Sequence, residues 1–173
     1  SLVGLTLSVS LSHILFGASY FDRQLGARGI DISTGRSGMF LMEKKASDYS
    51  SVDYIQLHCE DLVKDAMRLM AEQNKNEVIV LDANEKFYGK IELHTLIRKP
   101  ANSKIKKFAD TNCITIKHDA SVQQAMEAAA NFVGEAIPII NRETNQVISV
   151  ITEGAIFDAY LTVQDTVIDM EKR

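Results

Sequence analysis

The sequence predicts an α+β chain made of one β-α-β-β-α unit used twice and preceded by an N-terminal helical segment. Three observations carry this. Residues 54–82, YIQLHCEDLVKDAMRLMAEQNKNEVIVLD, match 113–141, CITIKHDASVQQAMEAAANFVGEAIPIIN, in pattern and without a gap at an offset of 59. Inside each copy the apolar spacing changes from period two to helical spacing and then to a short continuous run. A closing stretch also recurs, GKIELHTL at 89–96 and SVITEGAI at 149–156, one residue later because RETNQ stands where the first copy has ANEK.

Taken from the N-terminus, LVGLTLSVSLSHILF (2–16) is apolar or hydroxyl-bearing and holds no acidic or strongly basic residue. It falls short of the ~20 residues a bilayer-spanning helix needs, and no basic start or small-residue cleavage site marks it as a signal peptide. The expectation is a downstream piece of a larger protein, beginning inside a hydrophobic helix. The next stretch, GASYFDRQLGARGIDISTGRSG (17–38), carries glycines at 17, 26, 29, 35 and 38. A short helix over Tyr20–Leu25 followed by a turn-rich connector is predicted. Arg23, Arg28 and Arg36 lie just past the apolar segment, as on the cytoplasmic flank of a membrane helix.

In each copy, Ile55 and Leu57, or Ile114 and Ile116, alternate with polar residues as in a half-buried strand. Glu60 and Asp119 are expected to supply acids at the start of the helix that follows. That helix should bury Leu62, Val63, Ala66, Met67 and Met70 in the first copy, and Val122, Ala125, Met126, Ala129 and Val133 in the second. The runs VIVL and IPII predict buried strands. YGKIEL and VISVIT predict the strands paired with them, the first broken by Lys90. HTLIRK and GAIFDAYLTV close the copies as helices, and Ile156, Phe157, Tyr160 and Leu161 are expected to place apolar groups near the surface.

At 46% hydrophobic and 24% charged, with two prolines, the 173-residue chain has the composition of a folded domain. A net charge of −4 argues against a nucleic-acid partner, which requires a basic face. Cys59 and Cys113 lie far apart, the usage of a reducing compartment. The four histidines, 13, 58, 94 and 118, show no H-x-x-x-H spacing, so no metal is expected. Ser121 and Ser149 lack the base and acid of a nucleophile set, and no catalytic residue is expected. The basic run RKPANSKIKK (98–107) reads as a solvated linker, with anionic lipid or ligand phosphate as the other reading.

The strand–acid–helix opening ITIKHDASVQQAM, the strand AIPII and the closing VISVITEGAIF together resemble a cystathionine-β-synthase (CBS) domain, and their duplication resembles a tandem CBS pair. The resemblance divides the chain into an end of a membrane domain with its connector (1–48), a first CBS domain (49–100), a second (101–163) and a tail (164–173). It implies a regulatory module that performs no chemistry, forms a homodimer through its CBS modules and offers clefts to adenine nucleotides. In nucleotide-binding CBS domains the closing motif places an Asp on the ribose and a Thr or Ser, three places earlier, on phosphate. Here the Asp slot holds Thr95 and Ala155, and the phosphate slot holds Glu92 and Thr152. The second copy is therefore the better candidate. Thr152 would meet phosphate, Thr115 with Pro138 would line an adenine-sized pocket, and Asp158 lies one helical turn beyond Ala155. Without the carboxylate, adenine-nucleotide binding is expected to be weak, and no other cofactor is expected.

The stretch FGASYFDRQLGARGID resembles the end of the membrane domain in CLC-type chloride channels and transporters, where a short helix descends to a cytosolic CBS pair. By position Phe21 matches the tyrosine that faces the anion path in that family, with Tyr20 one place earlier. The resemblance implies a regulatory module on the cytoplasmic side of the cell membrane, partnered by the membrane domain of the same chain and modulating chloride transport or gating. The alternative is a soluble adenosine-nucleotide-sensing CBS module attached to another transporter or to an enzyme.

Overall fold

The computed structural model describes residues 36–130 and 132–172. Expectations placed on residues 1–35, Tyr20 and Phe21 among them, lie outside the described residues.

The first repeat runs β1 (Ile55–His58), α2 (Val63–Gln73), β2 (Glu77–Leu81), β3 (Phe87–Glu92) and the single-turn α3 (Leu93–Leu96); helix α1 (Arg36–Glu43) precedes it. The second repeat runs β4 (Ile116–Lys117), α4 (Val122–Ala129), β5 (Ile137–Ile140), β6 (Val147–Ile151) and α5 (Glu153–Glu171). Each makes a three-stranded sheet with its second strand in the middle, parallel to the first and antiparallel to the third. The β-α-β-β-α unit is present twice. β2 and β5 are buried along their whole length, as continuous apolar runs require.

Each sheet covers its own helices. Val63, Ala66 and Met70 of α2 pack on Ile55, Val78, Val80 and Ile91. Val122, Ala125, Met126 and Ala129 of α4 pack on Ile137, Ile139 and Ile151, with α5 and α1 completing that core. The opposite faces of the sheets meet through Ile79, Leu81 and Val150, flanked by Tyr54, Phe87, Ala136 and Val147. The hairpin turns also touch, with Phe87 N–H donating to the Asn145 carbonyl at 2.8 Å.

The segment leading into each repeat docks on the other repeat. Before the second repeat, the carbonyls of Ala101 and Ser103 accept the N–H groups of Lys64 and Val63, closing the N-terminus of α2 where no side chain caps it. Before the first repeat, the Lys44 carbonyl accepts Val122 N–H at the start of α4, and Ala46 N–H donates to the Ala120 carbonyl. Ala46 and Ile105, 59 positions apart, are both fully buried. The repeat therefore begins about ten residues earlier than the apolar pattern of the sequence marks it.

Several expectations change. Glu60 and Asp119 are not helix caps. Glu60 is paired with Lys104 and Lys106, and Asp119 with Arg142, while Ser121 and Gln124 form a capping box on α4. Val133 is 77% exposed because α4 ends at Ala129, and Phe132 takes the buried place instead. Ile156 and Tyr160 are fully buried in the second core with Phe157 and Leu161 packed against it, so they are core rather than surface. Helix α5 continues to Glu171, through most of the 164–173 stretch, with Val167 buried. The basic run is only partly a solvated linker, since Ile105 is buried within it.

Candidate ligand site between the repeats

The exchanged leading segments put residues of both repeats around one cavity. Ser51 forms an antiparallel bridge to Val150 of β6, its N–H donating to the Val150 carbonyl at 2.8 Å and its carbonyl accepting in return at 2.9 Å. This pairing lays Ser51–Tyr54 along the edge of the second sheet. A cavity of about 220 Å³ opens beside it, lined by Ser51, Asp53, Tyr54, Lys75, Glu77, Ile79, Glu135, Ala136, Val150 and Thr152. Tyr54, Ile79, Ala136 and Val150 supply an apolar slot continuous with the contact between the sheets. Hydroxyls and charges lie on its other walls.

Thr152 is the N-cap of α5, its Oγ1 accepting Ala155 N–H at 3.1 Å. A hydroxyl that accepts in this way keeps its proton to donate into the cavity. The positive end of a 19-residue helix lies at the same place. Lys75, also on the wall, donates to the Asp53 carboxylate at 2.8 Å and to the Asp53 carbonyl at 3.0 Å. The floor is the Glu77 carboxylate, which accepts Glu135 N–H at 2.7 Å, Ala136 N–H at 3.1 Å and Lys90 Nζ at 2.9 Å. Glu135 returns the contact by accepting Asn76 N–H at 3.2 Å and its side-chain amide at 2.5 Å. The two sheet-starting corners are thus clasped across the interface. Arranged this way, the cavity can hold a planar apolar group between Tyr54, Ile79 and Val150 and hydrogen-bond a polar appendage through Thr152 or Lys75 on its walls.

Of the residues singled out from sequence, this cavity takes Thr152. Thr115, Pro138 and Asp158 are not among its lining residues. Pro138 is buried in β5 opposite Val150, and its place is filled here by Ile79, the equivalent residue of the other repeat. Tyr54, Ile79, Lys75 and Val150 went unnoticed from sequence. The signal available was the 59-residue offset continued upstream through Ala46 and Ile105, which shows the leading segments to be part of the repeat.

A more open recess nearby is lined by Asn76, Glu77, Glu92, Leu93, His94, Ile97, Gly134 and Glu135. Its three carboxylates disfavour a phosphate. His58 contacts Glu85 at 2.7 Å, and His118 Nδ1 accepts Arg142 N–H at 3.3 Å. Among the described residues no group of three or more His, Cys, Asp and Glu side chains is placed to hold a metal ion. Nor is any described helix long and apolar enough to cross a membrane.

Residues 105–162 match the family model of the CBS domain. The same two-repeat arrangement recurs in solved CBS-pair structures. The fold is that of a CBS domain pair. CbpB in complex with c-di-AMP superposes with a TM-score of 0.65 at 16% identity, over 78% of this chain and 96% of that one. A CBS domain pair/ACT domain protein from Thermotoga maritima gives 0.63 at 14%, over 68% and 97%. The cytosolic domain of the Mg2+ channel MgtE in complex with ATP gives 0.62 at 16%, over 81% of this chain and 58% of that one. At these identities the likeness is one of fold. No curated protein matches the sequence.

Proposed function

We propose that this CBS pair is a regulatory, ligand-sensing module whose cavity between the repeats takes an adenine nucleotide of low charge, such as AMP. The observation that carries the reading is the cavity itself, an apolar slot of Tyr54, Ile79, Ala136 and Val150 whose walls also carry Thr152 and Lys75. The base would stack in the slot and a phosphate would meet the Thr152 hydroxyl and the N-terminus of α5. Fold relatives in complex with ATP and c-di-AMP support the ligand class. Binding is weak, because Ala155 stands where a ribose-holding carboxylate is expected, and Glu135 and Asp53 repel extra phosphates.

A ligand here touches both repeats and the leading segment, so it favours one packing of the pair over another. That differential contact is what regulation of an attached domain requires. The attached domain is a transporter or an enzyme; the solved domain of a Mg2+ channel among the fold relatives supports the former. The chloride-channel form of the proposal has its sequence support in residues 16–31, outside the described residues. Calorimetric titration of the 173-residue chain with AMP tests the reading. One site is expected, with a Kd between about 10 μM and 1 mM. No heat with AMP or adenosine up to millimolar concentration would overturn it.

A further inference from the structure

The first repeat has its own version of this cleft; the chain fills its inner end and leaves at its mouth the open recess lined by Asn76, Glu92 and Gly134. Lys90 pairs with Asp110 of the leading segment as Val150 pairs with Ser51, which makes the two places equivalent. Where the open cavity has Val150 and Ala136, this cleft has Lys90 and Glu77, 4% and 9% exposed and joined at 2.9 Å. The Phe132 ring lies over the ammonium, 4.7 Å from centroid to Nζ. Gly134 closes the cluster with a φ of +146°. A Cβ there would stand 2.6 Å from both Glu77 Oε1 and Lys90 Nζ and 2.8 Å from the ring. Cys113, the equivalent of Tyr54, is half-buried beside the cluster, its thiol pushed up to about 11 chiefly by burial and next by the Asp110 carboxylate, with Lys90 acting the other way.

We propose that Lys90 and Phe132, clamped by the Glu77 carboxylate, are an internal plug that fills the inner slot of the first cleft, leaving only its acidic mouth open and the pair one ligand site instead of two. The count of ligand sites rests on the function proposed above; the closure of the cleft does not. A buried ammonium needs both a carboxylate and further hydrogen bonds, and Glu77 supplies the first while its own oxygens are saturated by two backbone N–H groups. Because Glu77 also forms the floor of the open cavity, plug and ligand site share a side chain.

The test replaces the plug by the residues of the second repeat, Glu77→Ala with Lys90→Val, and reads alkylation of Cys113 by peptide mass mapping. In the wild type Cys113 should react slowly, and in the double variant at least about tenfold faster, since the thiolate and its access set the rate. Phe132→Ala, which leaves the ion pair intact, serves if the double variant does not fold, and should also speed alkylation. An unchanged Cys113 rate in whichever folded variant is available would overturn the proposal. AMP titration gives the second arm. One site per wild-type chain is expected, and two would overturn it. Absence of AMP binding would count against the proposed function alone, with the Cys113 rates still deciding the plug.

Discussion

In the proposed function, Ala155 is the residue that limits the strength of nucleotide binding. It sits at the third position of α5, where Thr152 Oγ1 already accepts its N–H, so a carboxylate there would stand one turn from the cavity's Thr152 and suit the helix N-terminus. Ala155→Asp should tighten AMP binding roughly 10- to 150-fold, the worth of a charged hydrogen bond. Calorimetry checks this, and unchanged affinity would remove the ribose from that corner. Glu60 illustrates a different use of charge. Hydrogen bonds from Lys104, and then from Lys106, hold its carboxyl near 2, against an ordinary value of 4.5. A lowered pKa stabilises the fold above the ordinary value, and that contribution is lost as pH falls from 4.5 toward 2. Glu60→Gln should flatten the pH dependence of the urea midpoint in that window; curves that stay parallel would show the pair to be without effect, as exposed pairs often are.

Helix ends explain much of what local pattern could and could not show. The apolar spacing of 55–80 and 114–139 located the first two strands of each repeat and the two amphipathic helices between them, because burial on one face dictates period. It misplaced the caps because Glu60 and Asp119 are attractive acids near a helix start, whereas Ser121 with Gln124 completes both hydrogen bonds of a capping box. Ser121→Ala should therefore cost about 1 kcal/mol, read as a lower urea midpoint with unchanged slope. At the other end, α5 runs past Val163, and Val167 beyond it is still buried at 5% exposure. Removing residues 164–173 should lower stability by about 1.5–3 kcal/mol, the value of burying one such side chain. A truncated chain as stable as the full one would return that stretch to the role of a tail.

Across the whole molecule, the two repeats are joined by exchanged leading segments, by the Ile79–Val150 contact and by the Glu77 and Glu135 clasp. Duplication was legible because both copies keep gapless apolar spacing. The site was not, because its walls come from opposite copies. Thr152 was found through a motif local to one repeat, while Tyr54 and Ile79 reach it only through packing between repeats. Lys90 was visible as a break in an apolar strand, but its partner Glu77 and the Phe132 ring were invisible until the sheets were placed together. In the proposed function the open cavity, rather than the plugged cleft, receives the nucleotide. Nuclear magnetic resonance of the 15N-labelled chain titrated with AMP measures this most directly. Saturable amide shifts are expected, centred on Ser51–Tyr54, Ala136 and Val150–Ala155 and abolished by Ala136→Leu, which fills the slot. Shifts centred instead on Lys90–Glu92 and Cys113, or unaffected by Ala136→Leu, would contradict that reading.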